Sequence, residues 1–149
     1  MIAIGADHAG YELKEKIKGL LSSMGLEFKD FGTSSSESTD YPDYAHAVAE
    51  AVSKGEADRG ILVCGTGIGM AITADKHQGV RAATVESLAT AKLSREHNDA
   101  NVITLGAGLI GDNLARQIVK TWLTTPFGGG RHAKRVDKIM AVERQYLKK

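Results

Sequence analysis

The chain has 149 residues, 42% of them apolar and 25% charged, and a net charge of +1 at neutral pH. That is enough chain for one domain with a real core, and so balanced a charge gives no electrostatic case for nucleic acid or a membrane surface. A single cysteine, Cys64, excludes an intrachain disulfide and fits a reducing compartment. No stretch approaches the length of a membrane span, and the chain opens on a strand-like run with no basic-then-apolar leader. The cytoplasm is therefore the expected location.

In chain order, short apolar runs alternate with helical patterns. Ile2-Ala3-Ile4 predicts a first strand, and Leu13, Ile17, Leu20, Leu21 and Met24 follow at helical spacing. Residues 26–31 predict a second strand, and the serine-rich stretch 33–39 reads as a surface loop. Pro42, favoured in a first helical turn, opens a helix with the stripe Ala45, Val48, Ala49 and Val52. Runs at 61–64, 80–85 and 102–105 predict three more strands. Ala115, Ile118, Val119 and Trp122 mark another helix. A last helix, roughly residues 131–146, carries Val136, Ile139 and Met140 behind the hinge Gly128-Gly129-Gly130. No linker or repeat divides the chain, so residues 1–149 read as one domain. The alternation implies a parallel sheet covered on both faces, an α/β sandwich of Rossmann-like type.

Ligands of such sheets gather at the carboxyl ends of the strands. The first strand is followed by Asp7-His8-Ala9-Gly10. Asp7 could simply cap the next helix, with His8 a loop residue; an adjacent Asp and His could equally bind sugar hydroxyls or phosphate. The third strand is followed by Cys64-Gly65-Thr66-Gly67-Ile68-Gly69-Met70. Three alternate glycines let backbone approach a ligand, and the next helix aims free N–H groups at it. The loop lacks the Gly-Lys-Ser/Thr of a P-loop, and Met70 stands where a dinucleotide fingerprint wants glycine, although Glu86 sits near where a ribose-binding acid would be. Cys64 reads as a small core thiol or, beside that loop, as a reactive thiolate.

His97-Asn98-Asp99-Ala100-Asn101 precedes the fifth strand, and His97 there could be no more than a helix-end cap. Arg131 and Arg135, four apart in the last helix, form either a solvated basic face or a two-arginine phosphate clamp. No spacing suits a zinc site, and no Gly-x-Ser-x-Gly elbow is present.

Five motifs in order resemble the type B ribose-5-phosphate isomerases: Asp7-His8-Ala9-Gly10, Asp40-Tyr41-Pro42, the Cys64–Gly69 loop, His97 to Asn101, and Gly129-Gly130-Arg131-His132 with Arg135. The likeness runs from Met1 to about the middle of the last helix. It implies an α/β/α sandwich on a five-stranded parallel sheet, no cofactor or metal, a sugar-phosphate substrate, and a dimer or tetramer. The related galactose-6-phosphate isomerase subunits share the glycine loop but lack the His-Asn and Gly-Arg-His segments, which favours the pentose substrate. Some members use this cysteine as base and others a glutamate at the end of the loop; Cys64 and Met70 make this chain resemble the cysteine type.

By that resemblance His97 assists ring opening, Cys64 carries the proton between carbons, and Thr66 helps move it between oxygens. The backbone of Gly65, Gly67, Ile68 and Gly69 holds the enediolate. Asp7 and Asn98 orient hydroxyls, and His8, Arg131 and Arg135 hold phosphate. Gly108 stands where many relatives have a further arginine. Rival readings are an isomerase of another aldose phosphate, such as allose or galactose 6-phosphate, and a phosphate- or nucleotide-binding module.

One expectation follows from topology. Cys64 and Asp7 follow strands, whereas His97 and Asn98 precede one. A strand of about five residues separates the two edges by roughly 16 Å. If these residues serve one substrate, the histidine must come from a neighbouring subunit. The same holds, less firmly, for Arg131 and Arg135.

Overall fold

The computed structural model describes residues 1–147. Five strands, β1 (Ile2–Ala6), β2 (Phe28–Asp30), β3 (Arg59–Cys64), β4 (Ala82–Thr84) and β5 (Val102–Gly106), form one parallel sheet in the order β2-β1-β3-β5-β4. The helices are α1 (Tyr11–Ser23), α2 (Tyr41–Ser53), α3 (Ile68–Ala74), α4 (Leu88–Glu96), α5 (Asp112–Thr124) and α6 (Arg131–Tyr146). No described helix is long and apolar enough to cross a membrane.

Alternation along each strand divides the core in two. Ile2, Ile4, Ile61, Val63, Ile103 and Leu105 pack on one face against Leu13, Ile17 and Leu21 of α1 and Ala115, Ile118, Val119 and Trp122 of α5. Ala3, Leu62, Cys64 and Val102 face the other way, against Ala45, Val48, Ala49 and Val52 of α2 and Met70 and Ala74 of α3. The three central strands are largely apolar because both faces are covered. The sandwich and all five strands agree with the sequence expectation. Only the two edge strands shrink, to three residues each, since they pair on one side only.

Two local expectations need correction. Helix α1 is capped by Gly10, not by Asp7; the Asp7 carboxylate accepts the Gly10 N–H at 3.1 Å, ahead of the helix. In α6 only Val136 is buried, while Ile139 is 47% exposed over an open groove.

The strand order fixes where a ligand fits. The chain leaves β1 towards β2 on one side and returns to β3 on the other. The crevice at the carboxyl ends of β1 and β3 is therefore the topological switch point. Asp7 and Cys64 stand on either side of it.

Candidate active site

The crevice is a cleft of about 450 Å³ lined by Asp7, Tyr41, Cys64, Gly65, Thr66, Ile68, Gly69 and Ile72. Cys64 ends β3 and is only 5% exposed, and that exposure opens into the cleft. The Gly67 N–H donates to its Sγ at 3.1 Å, which ties the sulfur to the loop. Gly67 has φ +81°, and a Cβ there would stand 3.0 Å from the backbone of Leu105, so only glycine makes this turn without strain. The buried Thr104 hydroxyl donates to Gly67 O at 2.6 Å and ties the loop to β5.

The loop's N–H groups divide into two sets. Those of Gly67 and Ile68 are already used, on Cys64 Sγ and on Thr66 Oγ1 at 3.2 Å. Those of Gly65 and Thr66 make no hydrogen bond among the described residues, and the first turn of α3 leaves Gly69 and Met70 without an intrahelical acceptor. Of these four, Gly65, Thr66 and Gly69 line the cleft, while Met70 is buried. Gly67 and Ile68, also expected to face the substrate, make their contacts within the loop, and Ile68 lines the cleft. Gly69 is required for a separate reason: a Cβ there would fall 2.4 Å from the Tyr41 ring.

Asp7 is 6% exposed, spends one oxygen on Gly10 N, and lines the cleft. His8 follows it and is held by Thr39.

The remaining predicted residues are elsewhere. The register pairs Gly60 with Val102 and Cys64 with Gly106, so the start of β5 lies four residues, or roughly 13 Å, from the cleft. His97 is the C-cap of α4, five residues before that start. Its ring stacks on His132, with centroids 4.3 Å apart, and Gly128 N donates to Glu96 O at 3.0 Å, which docks the head of α6 at the same edge. Desolvation, then the neighbouring His97, Arg131 and Arg135, lower the His132 pKa from its ordinary value, against an opposing pull from Glu96. The chain thus carries two groups of candidate residues at opposite edges: Asp7, His8 and the Cys64–Gly69 loop at one, and His97, Asn98, Arg131 and Arg135 at the other.

Several contributors are not among the site residues expected from sequence. Tyr41 lines the cleft and closes it beside Gly69. Arg95, 5% exposed, donates to the Asp99 carboxylate and to Ala100 O, both at 2.8 Å, while Arg81 Nε donates to Asp99 O at 2.9 Å. These bonds hold the turn that presents His97 and Asn98, where Asp99 has φ +48°. A helical arginine reads as surface until the fold buries it.

A larger groove of about 530 Å³ lies under α6, lined mainly by Val80, Ala82, Ile139, Val142 and Tyr146 with Asn98 among its walls. Its lining includes neither Cys64 nor the glycine loop, and it lies away from the switch point, so the smaller cleft is the better candidate for chemistry. No three His, Cys, Asp or Glu side chains converge as a metal site among the described residues.

Residues 2–139 match the family model described as Ribose/Galactose Isomerase. The chain belongs to the ribose/galactose isomerase family. It is 49% identical to ribose-5-phosphate isomerase B of Escherichia coli (strain K12) over 144 residues, 97% of each chain. It superposes on Clostridium thermocellum ribose-5-phosphate isomerase B with a TM-score of 0.95 and 53% identity, covering 97% of this chain and 98% of that one. The Mycoplasma genitalium ribose-5-phosphate isomerase B, solved with bound ribulose 5-phosphate, gives 0.93 and 41% over 97% and 96%. Membership in this isomerase family also accounts for the glycine loop's departures from the P-loop and dinucleotide patterns.

Proposed function

We propose that this chain interconverts D-ribose 5-phosphate and D-ribulose 5-phosphate through an enediolate. The single observation that carries the reading is the Cys64 thiol, opening into a cleft at the switch point amid unpaired backbone N–H groups. A thiolate there removes the proton from C2 of the open-chain aldose, and the electron pair moves to O1. The free N–H groups of Gly65, Thr66 and Gly69 stabilise the oxyanion as charge develops. The proton returns at C1, and the Thr66 hydroxyl relays a proton between O1 and O2. Asp7 orients a substrate hydroxyl.

His97 and Asn98 complete the chemistry from a second subunit, His97 opening the ring and Asn98 binding a hydroxyl. Arg131 and Arg135 of that subunit join His8 on the phosphate. The roughly 13 Å between edges supports this division, because no histidine side chain spans it. A two-fold dimer, alone or within a tetramer, holds two such sites.

A coupled assay tests the reaction itself. Ribose 5-phosphate should turn over at the same rate with and without a chelator, and kcat/KM should be higher for ribose 5-phosphate than for allose or galactose 6-phosphate. Strict dependence on a divalent metal contradicts the acid–base mechanism; preference for a hexose phosphate contradicts the substrate; ligand binding without turnover returns the chain to a binding module. Arg131→Ala and Arg135→Ala should each raise KM about tenfold or more with a smaller effect on kcat, the scale of one lost charged hydrogen bond. Unchanged constants would make both residues a solvated face.

A further inference from the structure

The loop of residues 33–39 is fastened to the end of β1 at both ends. Thr33 N donates to Ala6 O at 2.7 Å, and Thr33 O accepts from the fully buried Lys14 Nζ at 2.7 Å. At the other end Thr39 grips His8 twice. The His8 N–H donates to Thr39 Oγ1, and the Thr39 N–H donates to His8 Nδ1, both at 3.0 Å. Thr39 Oγ1 also lies 3.4 Å from Nδ1, where its own proton can point.

A backbone N–H can only donate. Nδ1 must therefore offer its lone pair, and the ring proton sits on Nε2. Nε2 makes no hydrogen bond to any other described residue. We infer that Thr39 is a positioning residue that locks His8 as a neutral Nε2–H donor, which recognises a phosphate oxygen by one directed hydrogen bond and not by charge. This rests on the sugar-phosphate reading above. It divides the labour at the phosphate: the two arginines supply charge, and His8 supplies direction. The loop, otherwise a plain surface connection, becomes part of the site.

Long-range 1H–15N spectra of the histidine-labelled protein, with and without inorganic phosphate, test the inference. His8 should show a bare Nδ1 and a protonated Nε2 at neutral pH, and phosphate should move chiefly the Nε2 resonance. A protonated Nδ1, alone or in an imidazolium, overturns the proposal. This readout needs no turnover, so its failure is distinguishable from failure of the isomerase reading. Kinetics give a second arm. A glutamine places its amide nitrogen near the position of Nε2, an asparagine near that of Nδ1. His8→Asn should therefore have a KM about fivefold or more above that of His8→Gln, and equal values overturn the proposal. Thr39→Val keeps the amide but loses the hydroxyl, and should raise KM about threefold with a smaller effect on kcat, while Thr39→Ser restores it. A valine variant with wild-type KM, or a serine variant as impaired as valine, also overturns it.

Discussion

Replacing Cys64 with alanine is expected to lower kcat by about a thousandfold or more, the scale of losing a positioned proton-transfer group. The fold should survive. The thiol packs with Leu62 and Met70 at the rim of one core layer, and removing one sulfur there costs roughly 1 kcal/mol. Circular dichroism and the melting temperature should stay close to wild type while turnover disappears. A thiol alkylating agent should inactivate the wild-type enzyme, and substrate should protect it, because Cys64 lines the cleft. An alanine variant with near-normal kcat would reduce Cys64 to a core residue and require another base.

Much of this organisation was legible in the residues. The strands could be read because a doubly covered parallel sheet makes each strand apolar on both faces, as in Ile61-Leu62-Val63-Cys64. The carboxyl-edge rule then points to Asp7 and Cys64. What escaped was contact between distant segments. Thr39 and His8 are 31 residues apart and meet only when the loop folds back. Tyr41 was visible as part of a motif, but its packing against Gly69 depends on how α2 lies over α3. The pairing of buried Lys14 with half-buried Asp30 was equally hidden. Burial opposes charge on Asp30, yet hydrogen bonds from Lys14, Lys18 and the Gly32 N–H hold its pKa below the ordinary value. Nothing in the helical spacing of Lys14 separates it from the exposed Lys16. The expectation for Ile139 failed for the opposite reason: helical spacing marks an apolar side chain without saying that anything covers it.

On the function proposed above a working site needs two copies of the chain, because its candidate residues divide between two edges of the sheet. Cys64→Ala and His97→Ala should each be inactive alone, the first for want of a base and the second of the ring-opening group. Mixed in equal amounts under conditions that exchange subunits, half the dimers should be mixed. In each mixed dimer one site collects both lesions and the other collects neither. Activity should then return to roughly a quarter of wild type. No recovery, with subunit exchange proven by mass or by a tag, would place Cys64 and His97 in the same site of one chain and contradict the arrangement proposed for them.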